Sequence, residues 1–136
     1  MASHINKVMI VGRLTRDPNL RQTNSGSPVT DFGLASNRNW KSKDGELHRD
    51  TVFVDVTAWG TLAELTAKHL SKGTLVLIEG SLRLDQWESK EGERRSKLYI
   101  NLDSFQAFQN GNAERVYSDA SKGAEDVEDE DDEPLY

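Results

Sequence analysis

Thr51-Val52-Phe53-Val54-Asp55-Val56-Thr57-Ala58-Trp59-Gly60 alternates two kinds of side chain with a period of two. In a β-strand that period puts Val52, Val54, Val56 and Ala58 on one face, which is the core face. The other face carries Thr51, Asp55 and Thr57 and is wet by that composition. It also carries Phe53 and Trp59, six residues apart and so on the same side. Large rings on a wet face have two explanations. Another sheet, helix or subunit covers them, the commoner case for a single exposed aromatic. Otherwise they form a stacking platform for unpaired nucleobases, whose π-faces are available whatever the sequence.

Upstream, His4 to Leu14 reads as a strand with Val8, Ile10 and Leu14 on one parity and Lys7, Met9, Val11 and Arg13 on the other. Both parities are partly apolar, which fits a strand covered on two sides or paired with another subunit. Asp17-Pro18 breaks it, Asn19 to Thr23 is a short extended piece, and Asn24-Ser25-Gly26-Ser27 is a turn. Val29 to Ala35 is the second main strand, with Phe32 and Leu34 inward and Gly33 on the side where backbone or ligand can approach closely. Trp40 shares the parity of Phe32, so either the strand ends near Asn37 or a bulge re-aims the ring. Lys41 to Glu46 is a polar hairpin tip carrying Lys41 and Lys43, a flexible finger.

Downstream, Thr61 to Glu64 has capping-box spacing, Leu62, Leu65, Ala67, His69 and Leu70 give a rough helical stripe, and Gly73 is the stop. Thr74 to Trp87 is a long strand with Val76 and Ile78 inward and a bend at Gly80. Beyond the bend Leu82 and Leu84 share one side, and Arg83, Asp85 and Trp87 the other. Glu88 to Ser96 is a charged loop, and Lys97 to Leu102 is a closing strand with Leu98, Ile100 and Leu102 on one face. Five strands with one α-helix between strands 3 and 4 is the order of an OB-fold, a mainly-β Greek-key barrel, though another small α+β fold fits the pattern too.

The net charge of -6 conceals an asymmetry. Residues 1–110 hold 15 Lys+Arg against 13 Asp+Glu, a balance of +2, whereas residues 111–136 hold 2 against 10, a balance of -8. The acidic total therefore does not argue against a polyanionic ligand for the body. Residues 1–110 are expected to form the folded domain and 111–136 a disordered acidic tail, because Glu125 to Glu133 repels itself and buries nothing. The tail finishes Asp131-Asp132-Glu133-Pro134-Leu135-Tyr136, an acidic run with an apolar tip. There is no cysteine, no apolar run of membrane-spanning length and no apolar signal segment, which together point to a cytoplasmic protein.

Asn6 to Pro18 (NKVMIVGRLTRDP), Trp40 in a basic hairpin, Leu62-Ala63-Glu64, Lys72-Gly73, Ile78-Glu79-Gly80, Leu82-Arg83 and Trp87 together resemble the bacterial single-stranded DNA-binding protein family. The likeness runs in order from about Met1 to Phe108, and the acidic tail with its tip is a second point of likeness. The resemblance implies an OB-fold, a homotetramer, sequence-tolerant binding of single-stranded DNA, a nucleoid-associated location and no catalysis. It implies base stacking on Trp40, Phe53, Trp59 and Trp87. Strand parity selects Phe53 and Trp59 independently, and its neighbours select Trp87; Trp40 rests on the resemblance alone. It also implies recruitment of replication, recombination and repair proteins through Asp131 to Tyr136. The tip departs from the usual pattern, since Pro134 follows Glu133 and Leu135 separates it from Tyr136.

Candidate phosphate contacts are Arg13, Arg21, Lys41, Lys43, Lys72 and Arg83, against the ordinary alternative of solvated surface cations. The main rival reading is an RNA-binding or primosome-associated OB-fold module, which would prefer RNA through the 2′-hydroxyl. His4, His48 and His69 are scattered and Asp55 stands alone between threonines. No catalytic site, metal site or cofactor is expected from that distribution.

Overall fold

The computed structural model describes residues 4–109 and 112–116, with side chains described for residues 4–108. Seven strands and one helix run in the order β1 (Val8–Leu14), β2 (Asn19–Gln22), β3 (Pro28–Lys41), β4 (Leu47–Trp59), α1 (Gly60–His69), β5 (Leu75–Glu88), β6 (Arg94–Gln109) and β7 (Asn112–Val116). The sheet is ordered β1-β5-β6-β4-β3-β2, and a further antiparallel pairing of β1 with β3 at Arg13 and Leu14 closes β1, β5, β6, β4 and β3 into a five-stranded barrel. The helix lies between the third and fourth of those five strands, as the sequence order predicts. β2 adds to the edge of β3, and β7 pairs with β6 beyond the boundary expected at residue 110. The acidic run and its tip, residues 117–136, lie outside the described residues.

The even-numbered residues of β3 and β4 supply the core: Phe32, Leu34, Val56 and Ala58 are fully buried and meet Val76, Ile78, Ile100, Leu102 and Phe105 from β5 and β6. Helix α1 seats Leu62, Ala63 and Leu70 in the same cluster. The two buried hydroxyls among the described residues are satisfied, Thr66 of α1 donating to the Leu62 carbonyl one turn back and Thr30 of β3 to the Ala63 carbonyl across the helix–sheet interface, each at 2.9 Å. No buried side-chain nitrogen or oxygen among the described residues lacks a partner, as a low-dielectric core requires.

The helix ends differ from the sequence expectation. Trp59, with extended backbone, is the N-cap, and no side chain caps the helix; the Thr61 to Glu64 capping box does not form. The chain turns directly from strand to helix at Gly60, whose φ of 65° lies in the left-handed region that only glycine adopts without strain. The helix stops at His69 with Leu70 extended, and Gly73 serves the following turn, where its N–H donates to the Leu14 carbonyl. At Gly80 the expected bend is a β-bulge. The β5–β6 register shifts between Glu79 and Gly80, and a Cβ at position 80 would strike the Asn101 carbonyl.

β1 begins at Val8 rather than His4. Upstream of it the Asn6 side chain continues the ladder, donating to the Leu82 carbonyl at 3.0 Å and accepting from the Leu82 N–H at 2.9 Å. From Val8 to Gly12 the strand is paired only with β5, and Met9 and Val11 are exposed. Among the described residues no helix is long and apolar enough to cross a membrane.

Candidate nucleic-acid interface

Register aligns the outer face of the barrel row by row. Arg13 of β1 pairs with Ala35, which pairs with Phe53; Gly33 pairs with Asp55; Asp31 pairs with Thr57; and Arg21 of β2 pairs with Val29, which pairs with Trp59. Arg13 and Arg21 thus each stand two strands from a ring, about 10 Å by ordinary strand spacing. Phe53 is 72% exposed and Trp59 48%. Among the described residues no sheet or helix covers them.

The same wall continues on the β5–β6 hairpin. Arg83 pairs with Tyr99, Asp85 with Lys97 and Trp87 with Arg95, so the odd-numbered residues of both strands form one face. Trp87 is 46% exposed and pairs directly with Arg95, whereas Arg83, the cation that the sequence places beside it, lies four residues back on the same face. A shallow groove joins this face to β4, with Trp59, Thr57 and Asp55 on one bank and Lys97, Tyr99 and Asp85 on the other. Arg16 and Arg21 border it.

The cations of this wall are not free. Asp31 Oδ2 accepts from Arg21 at 2.6 Å while its Oδ1 accepts from the Thr57 hydroxyl at 2.9 Å. Asp55 pairs with Lys97 at 2.6 Å and with Arg16 at 3.6 Å. Arg13 donates to the Gly73 carbonyl at 3.0 Å, and Arg83 approaches the Ser81 hydroxyl at 3.5 Å. Pairs as exposed as these stabilise a fold by about 1 kcal/mol at most, so an arriving phosphate can displace them. Lys72 is exposed in the turn after α1, where its N–H donates to Asp17 at 2.8 Å.

The finger is longer than the sequence suggests, because β3 and β4 stay paired without a register shift from Val29 opposite Trp59 out to Lys41 opposite Leu47. The strand neither ends near Asn37 nor bulges. Trp40 keeps the parity of Phe32, but the ribbon has by then left the barrel, and that parity no longer faces a core. Trp40 therefore lies on the opposite face of the ribbon from Phe53 and Trp59. Its ring stacks on His48 at 4.3 Å and 17°, its indole N–H points to Asp50 at 3.4 Å, and the Arg38 guanidinium lies 5.7 Å from the ring centre. Lys41 has the parity of Phe53. Lys43 is in the tip, where the Ser42 hydroxyl and the Glu46 N–H both bond to Asp44. The Ser42 bond, then the backbone bond of Glu46, holds the Asp44 carboxyl below its ordinary range.

Four contributors are not among the residues selected from sequence. Tyr99, Lys97 and Arg95 share the Trp87 face and were available to the parity rule, since they alternate with Leu98 and Ile100. Arg16 comes from the loop after β1, over Gly33, and no local pattern announces it.

A closed five-stranded barrel whose outer wall interleaves exposed rings with cations defines a protein of the oligonucleotide-binding fold. Residues 5–124 match the Single-strand binding protein family, and the chain belongs to that family. It is 39% identical over 131 residues to the single-stranded DNA-binding protein of Wolinella succinogenes, across 96% of this chain and 78% of that one. With the protein of the same name from Aquifex aeolicus it shares 49% identity over 96 residues, 71% of this chain and 65% of the relative. Among solved structures, a Plasmodium falciparum SSB in complex with ssDNA superposes with a TM-score of 0.72 at 25% identity, covering 80% of this chain and 99% of that one.

Proposed function

We propose that this chain binds single-stranded DNA without sequence preference, shields it, and performs no catalysis. The observation that carries the reading is the placement of Phe53, Trp59 and Trp87, all bare, on one barrel wall among Arg13, Arg21, Arg83 and Arg95. Bases stack on the rings while the cations neutralise phosphates. Trp40 lies on the opposite face of the finger, so a DNA strand reaches it by wrapping round the finger's edge, and Lys41, Lys43 and Lys72 add charge along that path. Family membership and the names of the relatives support the same reading.

Titration with poly(dT) tests it. Tryptophan fluorescence should be quenched strongly, with little dependence on base composition and much weaker binding to duplex. Absence of quenching contradicts the reading, and a preference for RNA over DNA of equal sequence transfers it to the RNA-binding alternative.

For the assembly, the family supplies the number four and β1 supports subunit pairing. Its one-sided pairing from Val8 to Gly12, with Met9 and Val11 exposed, suits strand-to-strand association of subunits, and a homotetramer is the proposed state. Light scattering should return four times the 15.3 kDa chain mass; a monomer mass overturns this part. In the cytoplasm, Asp131, Asp132, Glu133, Pro134, Leu135 and Tyr136 would recruit replication, recombination and repair proteins, the acids steering the encounter and the apolar tip docking.

A further inference from the structure

We infer that Asp55 is a built-in competitor for phosphate, holding Lys97 and Arg16 so that single-stranded DNA binds less tightly and releases more readily than the wall's cations would otherwise allow. The inference rests on the single-strand reading above and adds to it a residue that opposes binding.

Asp55 lies between Phe53 and Thr57 on the outer face of β4, two residues from the first ring and four from Trp59. Neighbours on one strand face are about 7 Å apart, so a sugar-phosphate backbone following bases from one ring to the other passes this carboxylate. Two cations converge on it from separate parts of the chain, Lys97 of β6 at 2.6 Å and Arg16 of the loop after β1 at 3.6 Å. The carboxylate and the two cations together carry one positive charge where the cations alone would carry two. Side-chain exposure of 34% for Asp55 and about half for each cation leaves the pairs open to exchange: a phosphate can take either cation, but the carboxylate that loses it stays in place and repels the phosphate. Asp31 acts on Arg21 in a similar way, yet it is also held by the Thr57 hydroxyl and, among the described residues, meets one cation.

The variant Asp55→Asn removes the charge and keeps the shape. It should bind poly(dT) several-fold more tightly at about 50 mM salt, and its log-log salt slope should steepen by up to about 1.4, two contacts at roughly 0.7 each for a single strand. Adding Lys97→Gln should reverse about half of that steepening. An unchanged or shallower slope with equal or weaker binding overturns the inference and makes Asp55 either inert or a residue that orients the cations for phosphate. A thermal midpoint equal to wild type confirms that the variant is folded. The wild-type titration run alongside separates the two claims: if wild type itself fails to bind, the single-strand reading falls, whereas wild-type binding with no gain in the variant sinks only the role of Asp55.

Discussion

Val56 and Trp59 are three residues apart on β4 and look to opposite sides of the barrel wall. Val56 is fully buried against Phe32, Leu34 and Ile100, whereas Trp59 stands half exposed beside Arg21 and Val29. One strand thus serves two purposes through its period of two: the even residues hold the barrel closed and the odd residues form the proposed binding face. Since the faces touch different neighbours, they should fail separately, and substitution can show it.

The largest effect belongs to the inner face. Phe32→Ala leaves a cavity in a core that is otherwise closed, and should lower the unfolding free energy by about 3 to 5 kcal/mol, read from urea denaturation. The fraction that remains folded should bind poly(dT) as wild type does. A loss of less than about 1 kcal/mol would mean that the barrel is not packed around this ring.

Next comes the outer face. Trp59→Ala should weaken single-strand binding by about 1 to 3 kcal/mol, a range general to single-strand binders, this family among them, and not one obtained from this chain. Its thermal midpoint should stay close to that of wild type, because the ring is half in water already. Unfolding of the variant would collapse the distinction between the two faces.

The smallest effect lies at the finger tip, outside both faces. The Ser42 and Glu46 hydrogen bonds favour the ionised form of Asp44, so its folded pKa lies below the unfolded one. The order they contribute is therefore complete above the ordinary carboxylate pKa and is lost as pH falls through the lowered folded value. Carbon NMR of the Asp44 carboxyl should show titration below the usual midpoint of about 3.9; an ordinary midpoint would mean that the tip is not held in this way.

How much of this was legible beforehand depends on whether a local rule had a local cause. Parity placed Phe53 and Trp59 on the outer side correctly because β4 runs regularly beside a core that Val54, Val56 and Ala58 still face; Trp87 was picked out by its neighbours and lies further out, where β5 is exposed on both faces. The same rule left Trp40 unresolved, since it assumes that the inward side still has a core, and β3 and β4 run on paired past the barrel's end. The helix start was misread at Thr61 because Gly60 turns the chain directly from Trp59 and leaves no cap to find. Arg16 and Lys97 meet at Asp55 only through closure of the barrel, a long-range event with no sequence period. The barrel order itself was readable, and β2 and β7 are additions at its edges.

The most direct test pairs one binding measurement with one folding measurement on the double variant Phe53→Ala, Trp59→Ala. Poly(dT) affinity should fall by at least the single-ring loss while the cooperative thermal transition stays in place. Retained affinity in the folded double variant would show that nucleotides do not stack on this wall, and the account would be wrong.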